Sequence, residues 1–191
     1  VEGEALGALW GGRWDRNEAG DLILDESGFP TVALEEGVIG DPNPDYNLTW
    51  INEVSYKFIN LRVQVDYVHG GDIWGSTAST LTGRGIAGET GFDRFVPVIA
   101  PGVKADGTPN DVQITPNRHY WEHTGVFYDE HRIFDGTTLR LREVSLSVTA
   151  PSSWLQNTPF GSASLTLSGQ NLWYKAFNFP EYINFDPEVL S

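Results

Sequence analysis

The chain has 191 residues, which is enough for one domain with a substantial hydrophobic core. Its formal net charge of -14 argues against a nucleic-acid partner, and the lack of cysteine excludes disulfides, thiolate metal sites and cysteine nucleophiles. The 21 glycines, 7 tryptophans, 7 tyrosines and 10 phenylalanines, with only 20% charged residues, favour a β-rich protein. Methionine is absent even at the first position, so we expect a mature segment or a fragment of a longer polypeptide.

Three stretches in the first half of the chain predict strands, the first because it is glycine-rich and apolar, and the other two because apolar and polar residues alternate in them. They are residues 1–14, which are rich in glycine, residues 46–56 and residues 61–67, and a tight turn at 57–60 joins the last two. The apolar side chains of the third stretch are Leu61, Val63, Val65 and Tyr67, and its polar side chains are Arg62, Gln64 and Asp66. In the intervening segment, residues 22–24 and 31–34 could form a small hairpin.

A second pair of alternating runs, residues 139–149 and 160–174, flanks a segment rich in proline and serine and therefore predicts a β-hairpin. In the first run the alternation changes phase at Arg142 and Glu143. A one-residue β-bulge there would return all the apolar side chains of the run to one face. The opposite face would then carry Arg140, Ser145, Ser147 and Thr149.

Long and short connections alternate along the chain. Residues 15–45 and 75–138 are long and lack sustained periodicity, whereas the links within each strand pair are short. Two-sided strands joined in this way are typical of an outer-membrane β-barrel, whose long loops are extracellular and whose short turns are periplasmic. Loops as long as 75–138 are uncommon in compact domains and are usually functional. The predicted fold class is therefore all-β, an antiparallel transmembrane β-barrel.

Six short motifs follow one another along the chain. They are GDPNPDY at 40–46, SYKFINL at 55–61, GGDIW at 70–74, LRLREVSLS at 139–147, SGQNLW at 168–173 and DPE at 186–188. Each motif alone is weak, but in this order they resemble the C-terminal part of SusC/RagA-like TonB-dependent outer-membrane transporters. The resemblance covers nearly the whole chain.

That resemblance carries further expectations. Residues 1–191 would be the C-terminal portion of a single barrel domain, with about five strands and without the plug, the earlier strands and the last strand. The remaining barrel and plug segments, outer-membrane lipid, a SusD-like surface lipoprotein and TonB, acting through the absent N-terminal region, would be its partners. The protein would import an oligosaccharide or peptide across the cell outer membrane, would not be an enzyme, and would need no cofactor.

Each strand of such a barrel has a lipid-facing and a lumen-facing side. The lipid-facing candidates are Leu61, Val63, Val65, Tyr67, Leu165 and Leu167. The lumen-facing candidates are Arg62, Gln64, Asp66, Arg140 and Arg142. The candidates for an aromatic girdle near the strand ends are Trp50, Tyr56, Tyr67, Trp154 and Trp173. The candidates for stacking on a sugar or peptide substrate are the loop aromatics Trp74, Tyr120 and Trp121.

Two motifs with possible metal chemistry give weak signals. Residues 119–123 match the His-x-x-Glu-His pattern of some zinc proteases, but Pro116, Gly125 and the missing apolar stripe argue against the helix that this pattern requires. Residues 15–20 resemble a calcium loop without its closing glutamate, so an Asx-rich turn is expected there. We therefore expect no catalytic residue and no metal site, with one alternative: the transporters that the chain resembles often carry an acidic loop at residues 15–20, which would allow a bound cation there.

The alternative interpretation is a soluble carbohydrate-binding β-sandwich, which the aromatic and acidic content also fits. The two folds differ in which face of the strands contacts water. A sandwich buries its apolar faces against each other, whereas a barrel turns them towards lipid. The alternation of loop lengths favours the barrel.

Overall fold

The computed structural model describes residues 3–93, 95–116, 129–179 and 186–189. The chain forms two compact units. The sheet unit consists of Asp45–His69 and Thr137–Phe177, and the loop unit consists of Val1–Pro44, Gly70–Gly136 and Asn178–Ser191. Each unit therefore draws on segments that are far apart in the sequence.

Strands dominate the described residues. In chain order the strands are β1 (Leu9–Gly11), β2 (Ile23–Leu24), β3 (Gly37–Gly40), β4 (Pro44–Tyr56), β5 (Ile59–Gly70), β6 (Asp72–Trp74), β7 (Val98–Ile99), β8 (Val103–Lys104), β9 (Gln113–Ile114), β10 (Ile133–Asp135), β11 (Thr138–Thr149) and β12 (Ser164–Ala176). In the same described ranges the helices are α1 (Ser76–Gly83) and α2 (Ser152–Leu155), with short 3-10 helices at Gly88–Thr90, Glu130–Arg132 and Pro187–Val189. Among the described residues, no helix combines the length and the apolar character needed to cross a membrane.

The sheet unit is built on one four-stranded sheet with the order β12-β11-β5-β4. Its strands have 12 or 13 residues each, about twice the usual length of a strand in a soluble domain. β11 pairs antiparallel with both β5 and β12, and the predicted hairpin between β11 and β12 is confirmed. Lys57 adopts a positive φ of 55° in the turn between β4 and β5.

The predicted β-bulge in β11 is confirmed. Against β5 the register runs from Leu141 opposite Val65 to Glu143 opposite Gln64, so that Arg142 is the extra residue. Without this residue, Leu139 and Leu141 would lie on the polar face. With it, the apolar side chains on both sides of the bulge share one face of the sheet.

The loop unit consists of short strand pairs around small apolar clusters. The pairs are β1 with β3, β6 with β10 and β7 with β9, all antiparallel, and β2 with β8, which is parallel. One core is formed by Leu24, Phe29, Ala100 and Ile114, all at most 4% exposed. A second cluster joins Ala78 of α1 to Ala87, with Leu81 and Phe134 packed against it.

The structure differs from the sequence-based expectations in three places. The strand predicted over residues 1–14 is reduced to β1, because glycines with positive φ, Gly3 at 93° and Gly7 at 80°, interrupt an extended backbone. β1 pairs with β3 in the loop unit, so the described sheet has four strands instead of about five. The connection between β11 and β12 is longer than a tight turn and contains α2. The small hairpin predicted from residues 22–24 and 31–34 is represented by an antiparallel β-bridge between Leu24 and Pro30.

Candidate functional site

One face of the four-stranded sheet is predominantly apolar, with Lys175 opposite Leu139 near one end. Cross-strand rows place Leu61, Leu146 and Leu167 side by side, and Val63 opposite Val144. Leu167 and Leu165 are each 76% exposed. Soluble proteins rarely leave apolar side chains this exposed over a continuous surface, because removing them from water is the main driving force of folding. This face therefore needs an apolar environment.

The opposite face carries charges that are compensated within the sheet. The Arg142 Nε donates a hydrogen bond of 2.7 Å to Asp66 Oδ2, and Gln64 Nε2 donates to the other carboxylate oxygen at 3.2 Å. The bulge thus directs its extra residue to a carboxylate on the neighbouring strand. Arg62 and Glu143 add a second, looser ion pair at 3.9 Å. Such a face is suited to contact with water or with a polar partner.

Arg140 is the most enclosed charge of the polar face, with only 4% of its surface exposed. In the strand register Arg140 stands opposite Asp66 of β5 and opposite Tyr174 of β12. Its guanidinium lies over the Tyr174 ring, 5.4 Å from the ring centroid. A buried guanidinium stays charged and needs compensation, and the aromatic ring face supplies part of it.

Aromatic side chains gather at both ends of the sheet. At one end the rings of Tyr46, Tyr67, His69 and Phe177 lie with centroids 5.0 to 6.4 Å apart. At the other end Phe58 lies 5.4 Å from Trp154. The 12 residues of β5 span about 40 Å, or about 30 Å along the normal of a membrane if the strand is tilted by roughly 40°. That height fits an apolar band bounded by two aromatic belts.

Of the girdle candidates, Trp154 follows β11 and Tyr56 ends β4, as expected for residues near strand ends. Trp50 instead lies in the middle of β4. Phe58 and Phe177 join the end clusters, and the alternation gives no signal for them because they lie just outside the regular runs.

Trp74 is the one substrate-contact candidate within the described residues. It ends β6, pairs with Ile133 and is 36% exposed. The Arg132 guanidinium carbon lies 5.4 Å from its ring centroid, so one face of the indole is already engaged by a cation. Tyr120 and Trp121, together with His119 and His123 of the rejected zinc motif, lie outside the described residues.

Two acidic residues from the end of the long connection hold the N-terminal part of the loop unit. Asp129 Oδ2 accepts a hydrogen bond of 3.1 Å from the Gly12 amide, and Glu130 Oε2 accepts one of 2.8 Å from the Trp14 amide. Glu130 also forms an ion pair with Arg16, and its hydrogen bonds raise the pKa of Arg16 above the usual value. A carboxylate placed so close favours the charged form of the guanidinium.

The calcium-like segment is an Asx turn. Asn17 Oδ1 accepts hydrogen bonds of 2.9 Å from the amides of Ala19 and Asp21. The side chain thereby satisfies the turn's own backbone. Within the part of the chain that the structure describes, three or more metal-ligating side chains do not gather anywhere.

The fold and the two-sided sheet define a segment of the wall of an antiparallel transmembrane β-barrel. The chain is 27% identical to TonB-dependent receptor P3 of Formosa agariphila, over 98% of this chain and 19% of that protein. No protein-family model matches it.

Solved structures show the same fold. The RagAB peptide importer in its open-open state matches with a TM-score of 0.58 and 16% identity over 95% of this chain and 20% of the other. Its closed-closed state matches with a TM-score of 0.52 and 15% identity over 88% of this chain and 19% of the other. The RagAB peptide transporter matches with a TM-score of 0.56 and 18% identity over 95% of this chain and 20% of the other.

The predicted resemblance to SusC/RagA-like TonB-dependent transporters is confirmed. The chain spans about a fifth of the length of the proteins that it matches. These proteins are named as a receptor, an importer and a transporter, and none of the names describes an enzyme.

Proposed function

We propose that this chain forms part of the wall of a TonB-dependent importer in the cell outer membrane. The observation that carries the proposal is the two-sided sheet, with exposed leucines on one face and internally paired charges on the other. The apolar face, including Val65 and Leu167, would contact lipid. The polar face, including Arg62 and Arg142, would line the lumen or meet a plug. The similarity to a TonB-dependent receptor supports this assignment.

The importer would take up a nutrient oligomer, a peptide or an oligosaccharide. The similarity to a protein named as a peptide importer favours a peptide. A SusD-like lipoprotein would cover the outer mouth, and TonB would supply energy through a part of the protein beyond this segment. Trp74, Tyr120 and Trp121 would contribute aromatic surfaces to substrate binding.

The alternative, a soluble carbohydrate-binding sandwich, requires the apolar face to be buried. Leu165 and Leu167 stay 76% exposed in the described structure, which favours the barrel.

The proposal is tested with the whole gene in its own host. Uptake of labelled peptides and oligosaccharides is measured in the parent strain, in a strain lacking the gene and in a strain lacking TonB. We expect uptake of one substrate class to fall in both deletion strains and the protein to be recovered with the outer membrane. Recovery in a soluble fraction, or uptake that does not depend on TonB, would contradict the proposal.

A further inference from the structure

The loop unit contains a cavity of about 540 Å³ beside the parallel pair of β2 and β8. Its apolar wall is formed by Ile23, Leu24, Ala105 and Val112. This volume lies within the range of roughly 300–1,000 Å³ that is usual for small-ligand sites. The cavity is therefore large enough to receive a side chain of a ligand together with part of its neighbour.

The wall of the cavity is held in place by tight packing. Leu24 is 1% exposed and belongs to the core with Phe29 and Ile114. Gly102, with a φ of +144°, precedes β8, and a Cβ there would lie 2.6 Å from the Leu22 carbonyl oxygen. Only glycine allows this close approach, which brings β8 against β2. The cavity is thus a preformed feature of the loop unit.

The charges around the cavity are predominantly negative. Asp25, Glu26 and Asp106 line it together with one cation, Lys104. The Lys104 ammonium is already engaged by Asp111, at 2.6 Å. Asp25 and Asp106 each use Oδ1 to accept hydrogen bonds from nearby groups, which fixes the orientation of both carboxylates. The cavity therefore combines an apolar wall with a rim that attracts cations.

From this combination we infer that the cavity binds an alkylammonium or alkylguanidinium group, as carried by a lysine or arginine side chain of a peptide. The aliphatic stem would pack on Ile23 and Val112 while the cationic head meets Glu26 and Asp106. This inference deepens the proposed importer function, on which it rests, by naming basic peptides as the preferred substrate class. A free polyamine offers the same chemistry and is distinguished by the experiment.

The test compares two labelled peptides that differ only in one residue, arginine or its neutral isostere citrulline. Binding to the purified full-length transporter is measured at low and high salt. We expect the arginine peptide to bind about fivefold to tenfold more tightly at low salt, and the ratio to shrink as salt screens the rim. Equal affinities for the two peptides would overturn the inference.

Variants locate the effect in the cavity. Glu26→Gln, alone and with Asp106→Asn, should lower the arginine-to-citrulline ratio towards one. The control Glu18→Gln with Glu35→Gln removes the same charge from exposed positions outside the lining and should keep the ratio. Filling the cavity with Ala105→Trp should weaken binding of the arginine peptide, whereas Ala19→Trp, at another exposed alanine, should not. An unchanged ratio in Glu26→Gln together with an unchanged affinity for the arginine peptide in Ala105→Trp would also overturn the inference.

Two further measurements distinguish a peptide from a free polyamine as the ligand, and the cavity assignment from the importer function. Spermidine that competes at the same concentration as the arginine peptide would assign the cavity to polyamines and overturn the peptide assignment. If both peptides are imported but bind with equal affinity, the importer function stands and only the assignment of a cationic ligand to the cavity is refuted. Arginine-dependent binding without TonB-dependent uptake would refute the importer function while the cavity assignment stands.

Discussion

At the scale of single residues, unusual backbone conformations mark the places where the sheet changes direction or register. In the described part of the chain, Lys57 and Asn171 are the non-glycine residues with positive φ, at 55° and 50°. Asparagine tolerates this conformation better than most residues, and Asn171 Oδ1 also accepts a hydrogen bond of 3.0 Å from Arg142. Between Trp173 opposite Leu141 and Gln170 opposite Glu143, β12 also carries an extra residue, and the hydrogen bond from Arg142 links this irregularity to the bulge in β11.

Asp106 gives the loop unit a dependence on pH. The Thr108 hydroxyl and amide donate to its carboxylate at 2.6 and 2.9 Å, and these bonds lower the pKa of Asp106 below its usual 3.8. A lowered pKa means that the stabilisation is present above about pH 4 and is lost as the pH falls through the folded value. The turn that borders the cavity should therefore loosen only under strongly acidic conditions.

Hydrogen exchange of the full-length transporter measures this effect. After correction for intrinsic rates, protection of the 103–110 segment should be similar at pH 7 and pH 5 and should fall at pH 3. Asp106→Asn should reduce the pH dependence to the part contributed by the Lys104–Asp111 ion pair, and the 61–67 segment of β5 serves as the internal reference. Equal protection of residues 103–110 at pH 5 and pH 3 would show that the carboxylate does not stabilise the turn.

At the scale of elements, the bulge in β11 decides which face each side chain occupies. Deleting Arg142 removes the extra residue, so either Leu139 and Leu141 or the Val144 side of the strand must move to the polar face. We expect the deletion to block assembly of the full-length barrel in the outer membrane. Arg142→Ala keeps the residue count and loses only the contacts of the guanidinium, so it should assemble.

Assembly is measured by the amount of folded protein in the outer-membrane fraction and by its resistance to unfolding in cold detergent. If the deletion variant assembles as well as Arg142→Ala, the bulge does not set the register of β11.

The long strands could be predicted from the sequence, whereas the short strands of the loop unit could not. A period of two over 12 or 13 residues, as in β5 and β12, is a strong local signal, and the phase change at Arg142 located the bulge. The parallel pairing of Ile23 with Val103 depends on contacts between distant segments. Two-residue strands carry too few side chains for alternation to be recognised. The cavity could not be predicted from the sequence either, because its lining residues share no sequence pattern.

In the N-terminal stretch the sequence predicted a longer strand than the structure contains. Leu6, Ala8 and Trp10 alternate with Ala5, Gly7 and Leu9, and this pattern predicted a strand. Local alternation is not sufficient there, because Gly7 at a φ of 80° breaks the extended backbone that a long strand needs.

At the scale of the whole molecule, residues 1–191 alone should not fold in water. The sheet leaves Leu165 and Leu167 exposed, and β12 and β4 are its edge strands in the described structure. An exposed apolar face and open edges promote aggregation. Expressed without detergent, the segment should be insoluble, and Leu165→Ser with Leu167→Ser should increase the soluble fraction. A soluble monomer with a cooperative thermal transition would contradict the barrel interpretation.

The orientation of the wall can be tested at two adjacent positions of β5. Val65 pairs with Leu141 on the apolar face, and Gln64 pairs with Glu143 on the polar face. An arginine facing hydrocarbon near the bilayer midplane costs about 2–4 kcal/mol, whereas one facing a wet lumen costs far less. Val65→Arg in the full-length protein should therefore impair assembly, while Gln64→Arg should assemble and alter at most the uptake of substrate.

Stability alone does not separate lipid contact from burial in a soluble core, but chemical labelling does. This segment contains no native cysteine, so Val65→Cys and Gln64→Cys give single sites within it, in a background from which any other cysteines have been removed. In the folded protein, Val65→Cys should resist a water-soluble maleimide and react with a probe dissolved in the lipid phase, because the apolar face is in contact with hydrocarbon. Gln64→Cys should show the reverse preference wherever the lumen admits the reagent. Rapid reaction of Val65→Cys with the aqueous maleimide, at the rate found in the unfolded protein, would show that this face of the sheet does not contact lipid.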